Sequence, residues 1–533
     1  MTFEAKLKSI PHEQIWQEYC GFLELDLADY MRIQRRLMSE QIELWSASEL
    51  ATPFLRGRSP RSIEEFRNMM PLTHYEDYAD VLLQKRSEML PAEPIIWVQT
   101  TWEGGRHPFK VAPYTEGMLE TFRNNVVTCL ILATSKEPGV FTARPGDTML
   151  YALAPLPYVS GLLPLALGEE IGIEFLPPVK DATRMGFGER NKRGFELGLK
   201  RGGIDYFFGL GSVAYYVSTG ISALGSPNKK KGKRRDLFSI SPRMLMKLVR
   251  AKMRCRREGR EMLPKDLFSL KGFMCAGTDN ACYKDDLEAM WGVRPMEIFA
   301  GTEPSCMGTE TWTRDGMYFF PDTCFYEFIP RSEMQISLHN PDYQPRTCLM
   351  DEVLPGETYE LVISALKGGA FMRYRVGDVY RCVGLENSAD RTRIPRFSYV
   401  DRVPTVIDIA GFTRITEYTI ESAIVLSGLQ IKDWTAYKKY SDASRPYLVM
   451  VVEMSADSIA SAAVSRELLR EHLSIYFKYV DQDYGDLKRL LGIEPLEITI
   501  VPCGTFERYR SETNRVLDRI NPSPYDVKEL LST

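Results

Sequence analysis

The segment Phe207-Phe-Gly-Leu-Gly-Ser-Val-Ala-Tyr-Tyr-Val-Ser-Thr-Gly-Ile-Ser-Ala-Leu224 passes from a short apolar run into a helical stretch, and the pattern returns downstream. Met244 to Arg257 reads as another helical stretch and Phe273-Met-Cys-Ala276 as another apolar run. Short strands alternating with helices imply an α/β core with a mainly parallel sheet. Upstream, Ile15, Tyr19, Phe22, Leu23 and then Ile33, Leu37, Ile42, Leu44 fall at largely helical spacing, so residues 15–50 predict long amphipathic helices. Ser62-Ile-Glu-Glu65 is a capping-box pattern opening a helix through Met70. A β segment from Pro94 to Gln99 leads into a glycine-containing loop, and a helix is expected from about Thr115 to Thr134. No charge occurs from Thr148 to Gly168, a run about as long as a bilayer span. Pro155, Pro157, Gly161 and Pro164 favour a buried strand, an active-site loop and a helix start over a membrane helix.

Downstream the pattern changes. Met317 to Arg381 alternates Tyr, Phe, Val and Ile between turn residues at Asn340-Pro341-Asp342 and Pro355-Gly356, which predicts antiparallel strands. Gly369 to Cys382 reads as a hairpin or strand pair. A boundary falls near Tyr399-Val-Asp-Arg402, followed by a small α/β unit. Its helices are expected over Glu417–Leu426 and Ser465–Val480, and its strands over Trp434–Tyr440, Tyr447–Glu453 and Leu496–Val501. The expected organisation is a large N-terminal domain, residues 1–400, and a C-terminal lid, residues 401–533.

The chain has 533 residues, 44 % of them apolar and 26 % charged, which excludes disorder, collagen and a disulfide scaffold as overall descriptions. Lys and Arg number 67 against 71 Asp and Glu, so the net charge of −4 gives no global attraction to nucleic acid or anionic lipid. Ten scattered cysteines without a CxxC, and five histidines, argue against structural zinc and point to reduced thiols in a cytoplasmic protein. The stretch Met1 to Gln14 has no apolar run and does not read as a signal peptide. The basic run Lys229 to Arg235 fits a phosphate or nucleic-acid patch, but without interleaved aromatics it reads better as a solvated loop. Neither nucleic acid nor membrane is expected as a partner.

Four segments carry chemistry. Thr100-Thr-Trp-Glu-Gly-Gly-Arg-His-Pro-Phe-Lys110 lies between a strand and a helix. Hydroxyls at Thr100 and Thr101 and glycines at Gly104 and Gly105 let amides wrap a polyphosphate, and Lys110 adds a point charge. The spacing does not match a P-loop, and a glycine turn with no ligand fits the same residues. In Phe299-Ala-Gly-Thr-Glu303 a strand end turns through small residues that can slide beneath a flat base. Thr302 could bond an α-phosphate and Glu303 could hold magnesium, while a plain β-turn is the alternative. Gly277-Thr278 ends another strand, where α/β sheets often bind ligands. In Arg373-Tyr-Arg-Val-Gly-Asp378 the carboxylate could accept both ribose hydroxyls, or Asp378 could pair with Arg375 on the surface. Arg402, at the proposed junction, could reach ribose or phosphate or be a linker arginine.

Taken in order, these four segments resemble the adenylate-forming superfamily, and most closely the plant auxin-responsive acyl-acid amido synthetases, the Gretchen Hagen family. Phe66 to Tyr78 (FRNMMPLTHYEDY), Lys110-Val-Ala-Pro-Tyr-Thr115, Phe208-Gly-Leu-Gly-Ser212 and Pro502-Cys-Gly-Thr-Phe506 resemble further motifs of that family. The resemblance implies an α/β fold with a large N-terminal adenylate-forming domain, a β-rich subdomain and a small α/β lid. It implies ATP and magnesium as cofactors, a small carboxylic acid and an amino acid as partners, and an amide, AMP and pyrophosphate as products. Lys110, Thr302 and Glu303 would be catalytic, with Glu303 the metal ligand. Thr100, Thr101, Gly104, Gly105, Gly277, Thr278, Phe299, Ala300, Gly301, Thr302, Asp378 and Arg402 would hold the nucleotide. A thioester-forming ligase using coenzyme A and a non-catalytic relative are the alternatives. Two departures mark the chain as divergent. Trp102 and Glu103 stand where the family has Gly-Thr, and Arg519-Ile-Asn-Pro-Ser-Pro-Tyr525 lacks the family's C-terminal lysine, leaving Arg519 or Lys528 to substitute.

Overall fold

The long helix Leu27–Ser46 shows how the N-terminal segment is tied to the rest of the chain. Asp26 caps it by accepting from Asp29 N at 2.8 Å. Its buried residues Tyr30, Met31, Gln34, Leu37, Met38, Gln41, Ile42 and Trp45 recur every three or four positions, so one stripe faces the core. Two buried glutamines sit in that stripe, and each finds backbone partners. Gln41 donates to Gly369 O (2.9 Å) and accepts from Gly368 N (2.7 Å), and Trp45 Nε1 donates to Ala370 O at 3.0 Å. The helix thereby fixes the connection that leads into the Arg373–Asp378 segment.

The computed structural model describes residues 1–100, 107, 109–222, 241–340, 342–409, 413–441, 445–455, 465–473 and 496–532. They divide into two compact units, Met1–Thr100 with Lys110–Val400, and Asp401–Thr533. In the first, β1 (Ile96–Gln99) and β2 (Val111–Tyr114) pair antiparallel. A large sheet is built from β3 (Thr148–Ala152), β4 (Glu174–Leu176), β5 (Tyr206–Leu210), β6 (Gly272–Ala276), β7 (Met296–Gly301), β8 (Ser305–Glu310) and β9 (Met317–Phe319). It continues with β10 (Cys324–Pro330), β11 (Thr358–Ala365), β12 (Tyr374–Gly384) and β13 (Arg396–Arg402). Their order is β10-β11-β12-β13-β9-β8-β7-β6-β5-β3-β4. From β4 to β7 all pairings are parallel, and from β7 to β8 the sheet turns antiparallel. Strand β7 is thus the seam between the helix-connected half and the β-rich half. The α/β class read from the 207–276 alternation is the observed one.

In the second unit β14 (Ile407–Ile409) pairs with β15 (Thr413–Ile415). Strands β16 (Ile431–Tyr440), β17 (Pro446–Met454) and β18 (Leu496–Val501) form a three-stranded sheet, antiparallel then parallel. Val451, Phe506, Tyr509 and Leu530 cluster in its core with helices Thr505–Thr513 and Pro524–Ser532. Gly504, at φ +89°, and Phe506 both donate amides to the Glu453 carboxylate, at 2.8 and 2.9 Å, which fastens the Pro502–Phe506 motif to β17.

Two readings need correction. Gly369 to Cys382 is not a hairpin: β12 alone covers its end, and its partner β11 lies upstream. Buried Ala370, Phe371 and Met372 imitate a strand in sequence but form the connection pinned by Leu27–Ser46. The capping box at Ser62 is half made, because Ser62 Oγ accepts from Glu65 N while the Glu65 carboxylate accepts from Arg61 N. The uncharged run Thr148–Gly168 folds as β3, a loop and the start of helix Leu162–Glu170, and no helix among the described residues is long and apolar enough to cross a membrane. The ten cysteines form no disulfide. The basic run Lys229–Arg235 lies outside the described residues, as does the expected helix beyond residue 473.

Candidate active site

The β7–β8 hairpin ends in Gly301, Thr302, Glu303 and Pro304, with Gly301 facing Ser305 across the last register pair. Tyr114 OH donates to Thr302 O at 2.9 Å and holds the tip from β2. Glu303 is buried, yet it is not an isolated charge. Its Oε1 accepts from Tyr374 OH at 2.6 Å and from Lys110 Nζ at 3.1 Å, and Lys110 Nζ lies 3.1 Å from the same tyrosine oxygen. A cation and a hydroxyl therefore compensate the carboxylate's desolvation. Lys110 Nζ also sits 5.7 Å from the ring centroids of both Tyr75 and Tyr374.

Each member of this cluster has a local reason for its place. Thr100 and Lys110 close the base of the intervening loop: Thr100 N donates to Lys110 O (2.9 Å) and Lys110 N to Thr100 Oγ1 (3.0 Å). Val111 N then donates to Tyr75 OH at 2.7 Å, and burial pushes that phenol up to about 12. Tyr374 opens β12. Along that strand Val379 pairs with Glu360 and Arg375 with Val362, so residues 376–378 bulge opposite the single Leu361. Gly377 has φ +80°, where a side chain would be strained, so the bulge requires glycine there.

The bulge presents Asp378, which is buried. On either side of it β12 meets the hairpin: Tyr374 at Glu303, and Tyr380 edge-on to Phe299 with ring centroids 5.4 Å apart. Arg375 does not pair with Asp378 at the surface. It makes a double hydrogen bond to Glu360 at 2.7 and 2.6 Å, while Arg373 engages Glu327. The same sheet edge carries the ends of β5 and β6. Asn280 ties them by accepting from Gly211 N (3.1 Å) and donating to Gly277 O (2.7 Å), beside Thr278.

The structure thus brings Lys110, Glu303, Thr302, Gly301, Ala300, Phe299, Gly277 and Asp378 to the strand ends of one unit, with Thr100 at the loop base. Thr101, Gly104 and Gly105 lie outside the described residues. Arg402 belongs to the second unit, where its Nε is 4.0 Å from Asp408 Oδ2, shared with Arg414 at 3.5 Å. Among the described residues no three His, Cys, Asp or Glu side chains are grouped to hold a metal ion, and Glu303 Oε1 is engaged by Lys110 and Tyr374. Tyr374 and Tyr75 were missed as partners of Lys110 although both stand inside quoted motifs; a tyrosine in a buried strand is most often core, and only register shows where its hydroxyl ends.

Residues 317–402 match the GH3 family central domain and residues 416–518 the GH3 family C-terminal domain. The fold as a whole is similar to two solved ligase structures. An acyl acid amido synthetase solved with 2,4-DB superposes with a TM-score of 0.53 at 16 % identity, covering 98 % of this chain and 96 % of that one. A 2-hydroxyisobutyryl-CoA ligase gives 0.54 at 17 %, covering 90 % and 86 %. Indole-3-acetic acid-amido synthetase GH3.3 of Arabidopsis thaliana is 26 % identical over 215 residues, 38 % of this chain and 32 % of its own length. Jasmonoyl--L-amino acid synthetase JAR4 of Nicotiana attenuata is 28 % identical over 196 residues, 35 % and 30 %. The chain spans about a third of the length of the curated relatives it matches.

Proposed function

We propose that the protein is an ATP-dependent ligase that adenylates a small carboxylic acid and passes the acyl group to an amine, an amino acid. The observation that carries this reading is the Lys110–Glu303–Tyr374 cluster at the tip of the β7–β8 hairpin, beside the Asp378 bulge. A half-buried ammonium that bonds a carboxylate oxygen and a phenol can exchange those partners for phosphoryl oxygens. In the first step a carboxylate oxygen attacks the α-phosphorus of ATP, and the bond to the β-phosphate breaks to release pyrophosphate. Charge builds on the α-phosphoryl oxygens, and Lys110 with the Thr302 hydroxyl would stabilise it. Asp378 would accept the ribose hydroxyls, and Phe299 with Ala300 and Gly301 would line the base. In the second step the amine nitrogen attacks the acyl carbon, loses a proton, and AMP leaves with the electron pair. Magnesium would enter as part of the nucleotide substrate, with Glu303 near it once Lys110 turns to phosphate.

The second unit, residues 401–533, would act as a lid that keeps water from the mixed anhydride; the match of 416–518 to a GH3 C-terminal domain supports this. Within that unit Arg519 stacks on Trp434 (5.2 Å) and bonds Glu421 at 2.8 Å, whereas Lys528 is exposed, which favours Lys528 as the lid cation. Free cysteines support a reducing, cytoplasmic setting. The test is acid-dependent exchange of pyrophosphate into ATP, with Asp378→Ala slowing it roughly ten- to hundred-fold. Folded protein that binds ATP but gives no exchange over a broad acid panel would leave only nucleotide binding. Supplying amino acids or coenzyme A as acceptor then separates amide from thioester formation.

A further inference from the structure

Helix Pro242–Glu258 has two faces of opposite kind. Met244, Ala251 and Cys255 are buried, and Cys255 Sγ lies 3.4 Å from Asp266 in the neighbouring turn. Away from that face, Leu245, Met246, Val249 and Met253 are 43, 52, 49 and 60 % exposed. Leu245, Val249 and Met253 recur every four residues, and Met246 lies three before Val249 and seven before Met253, so the four make one outward stripe. Exposed Arg250, Arg254 and Arg257 run along one side of it, and exposed Lys252 and Arg256 along the other. The only carboxylate in the helix is Glu258 at its end, and this pairs with Arg260 at 2.8 Å.

We propose that this helix docks the protein on an anionic membrane surface, its apolar stripe entering the headgroup layer while the flanking cations meet lipid phosphate and carboxylate groups. Exposed apolar stripes of this kind mark binding surfaces. The charge decides the partner. Cations on both flanks exclude a neutral or cationic occupant, and their long stems let the heads remain at the interface while the stripe sinks. A nucleic acid would use the cations but leave four apolar side chains in water. The stripe is a ridge on the outside of the helix, a shape that a planar headgroup layer meets without a matching groove. The net charge of −4 argued against lipid for the chain as a whole; here the positive field is confined to one helix.

The full-length protein is floated with vesicles of phosphatidylcholine alone and of phosphatidylcholine with phosphatidylserine. Binding is expected only to the anionic vesicles, weakening as salt is raised. Met246→Ser/Val249→Ser/Met253→Ser and, separately, Arg250→Gln/Arg254→Gln/Arg257→Gln should each lower partitioning by roughly ten-fold or more. Circular dichroism and ATP binding confirm that each variant is folded, and the charge variant stands if the serine variant is not. Failure to bind anionic vesicles at low salt overturns the proposal. So does equal binding by the serine variant, which would assign any lipid affinity to other cations such as the 229–235 run. Wild-type dimers that the serine variant abolishes would give the stripe to a second copy and overturn it as well.

Discussion

The β7–β8 hairpin is held by a lysine at each end. At its root, Lys284 Nζ reaches Glu297 on β7 at 3.0 Å and Glu310 on β8 at 2.7 Å. At its tip, Lys110 Nζ reaches Glu303 at 3.1 Å. Burial works against the Lys284 ammonium, but the two carboxylates outweigh it and raise its pKa above the ordinary lysine value. Burial likewise pushes Glu297 up, with Glu310 adding to the effect against Lys284. Every charge at the root is bound to another in the same cluster, so nothing there is left for a ligand. At the tip, among the described residues, Lys110 meets the Glu303 carboxylate and the Tyr374 phenol, and the lysine side chain is 20 % exposed against 10 % at the root. On the function proposed above, the same pair of residue types makes a clamp in one place and a chemical group in the other. What differs is access to solvent.

Four measurements test this contrast. Lys284→Met leaves two buried carboxylates without their cation and should cost about 3–5 kcal/mol in urea unfolding, with Lys284→Met/Glu297→Gln/Glu310→Gln recovering much of it. Unchanged stability of the single variant would show that the root is no clamp. Lys110→Met should slow acid-dependent exchange by about a hundred- to a thousand-fold and, because Tyr374 still donates to Glu303, should cost less stability than Lys284→Met. A stability loss as large as that of Lys284→Met would make the tip a clamp too. Tyr374→Phe removes one hydrogen bond to Glu303 and should cost about 1 kcal/mol and a few-fold in exchange rate. The smallest effect concerns a third ionic cluster away from the hairpin. Burial opposes the Glu327 carboxylate, but Arg373 and Arg67 win and hold its pKa below the ordinary value. A lowered folded pKa means that its contribution is present above the usual glutamate range and is lost as pH falls through the folded value. Urea midpoints between neutral and acid pH should show this loss in the wild type and less of it in Glu327→Gln.

The sequence made some of this contrast legible and hid the rest. Lys110 and Glu303 could be chosen because glycines and hydroxyls beside them form recognisable turns. The alternation around Phe207 and Phe273 announced the parallel half because each strand there is contiguous in the chain. Tyr374, Lys284 and the Arg375–Glu360 pair were not legible as partners. Each depends on which strand lies beside which, and the β11–β12 register with its bulge is long-range information. The false hairpin at Gly369–Cys382 has the same origin: buried apolar residues in a connection look like those in a strand until the glutamine that pins them is seen.

Lys110 and Tyr374 are 264 residues apart, and Glu303 stands 193 after the lysine. During synthesis the ribosome must therefore deliver nearly all of the first unit before the last member of the trio leaves the exit tunnel. Until then Glu303 has neither its phenol nor a finished strand beside it. The parallel half must wait, partly formed, for the β-rich half, so an abrupt stop in translation between the two would release a chain with a carboxylate-tipped, half-paired edge suited to chaperone capture.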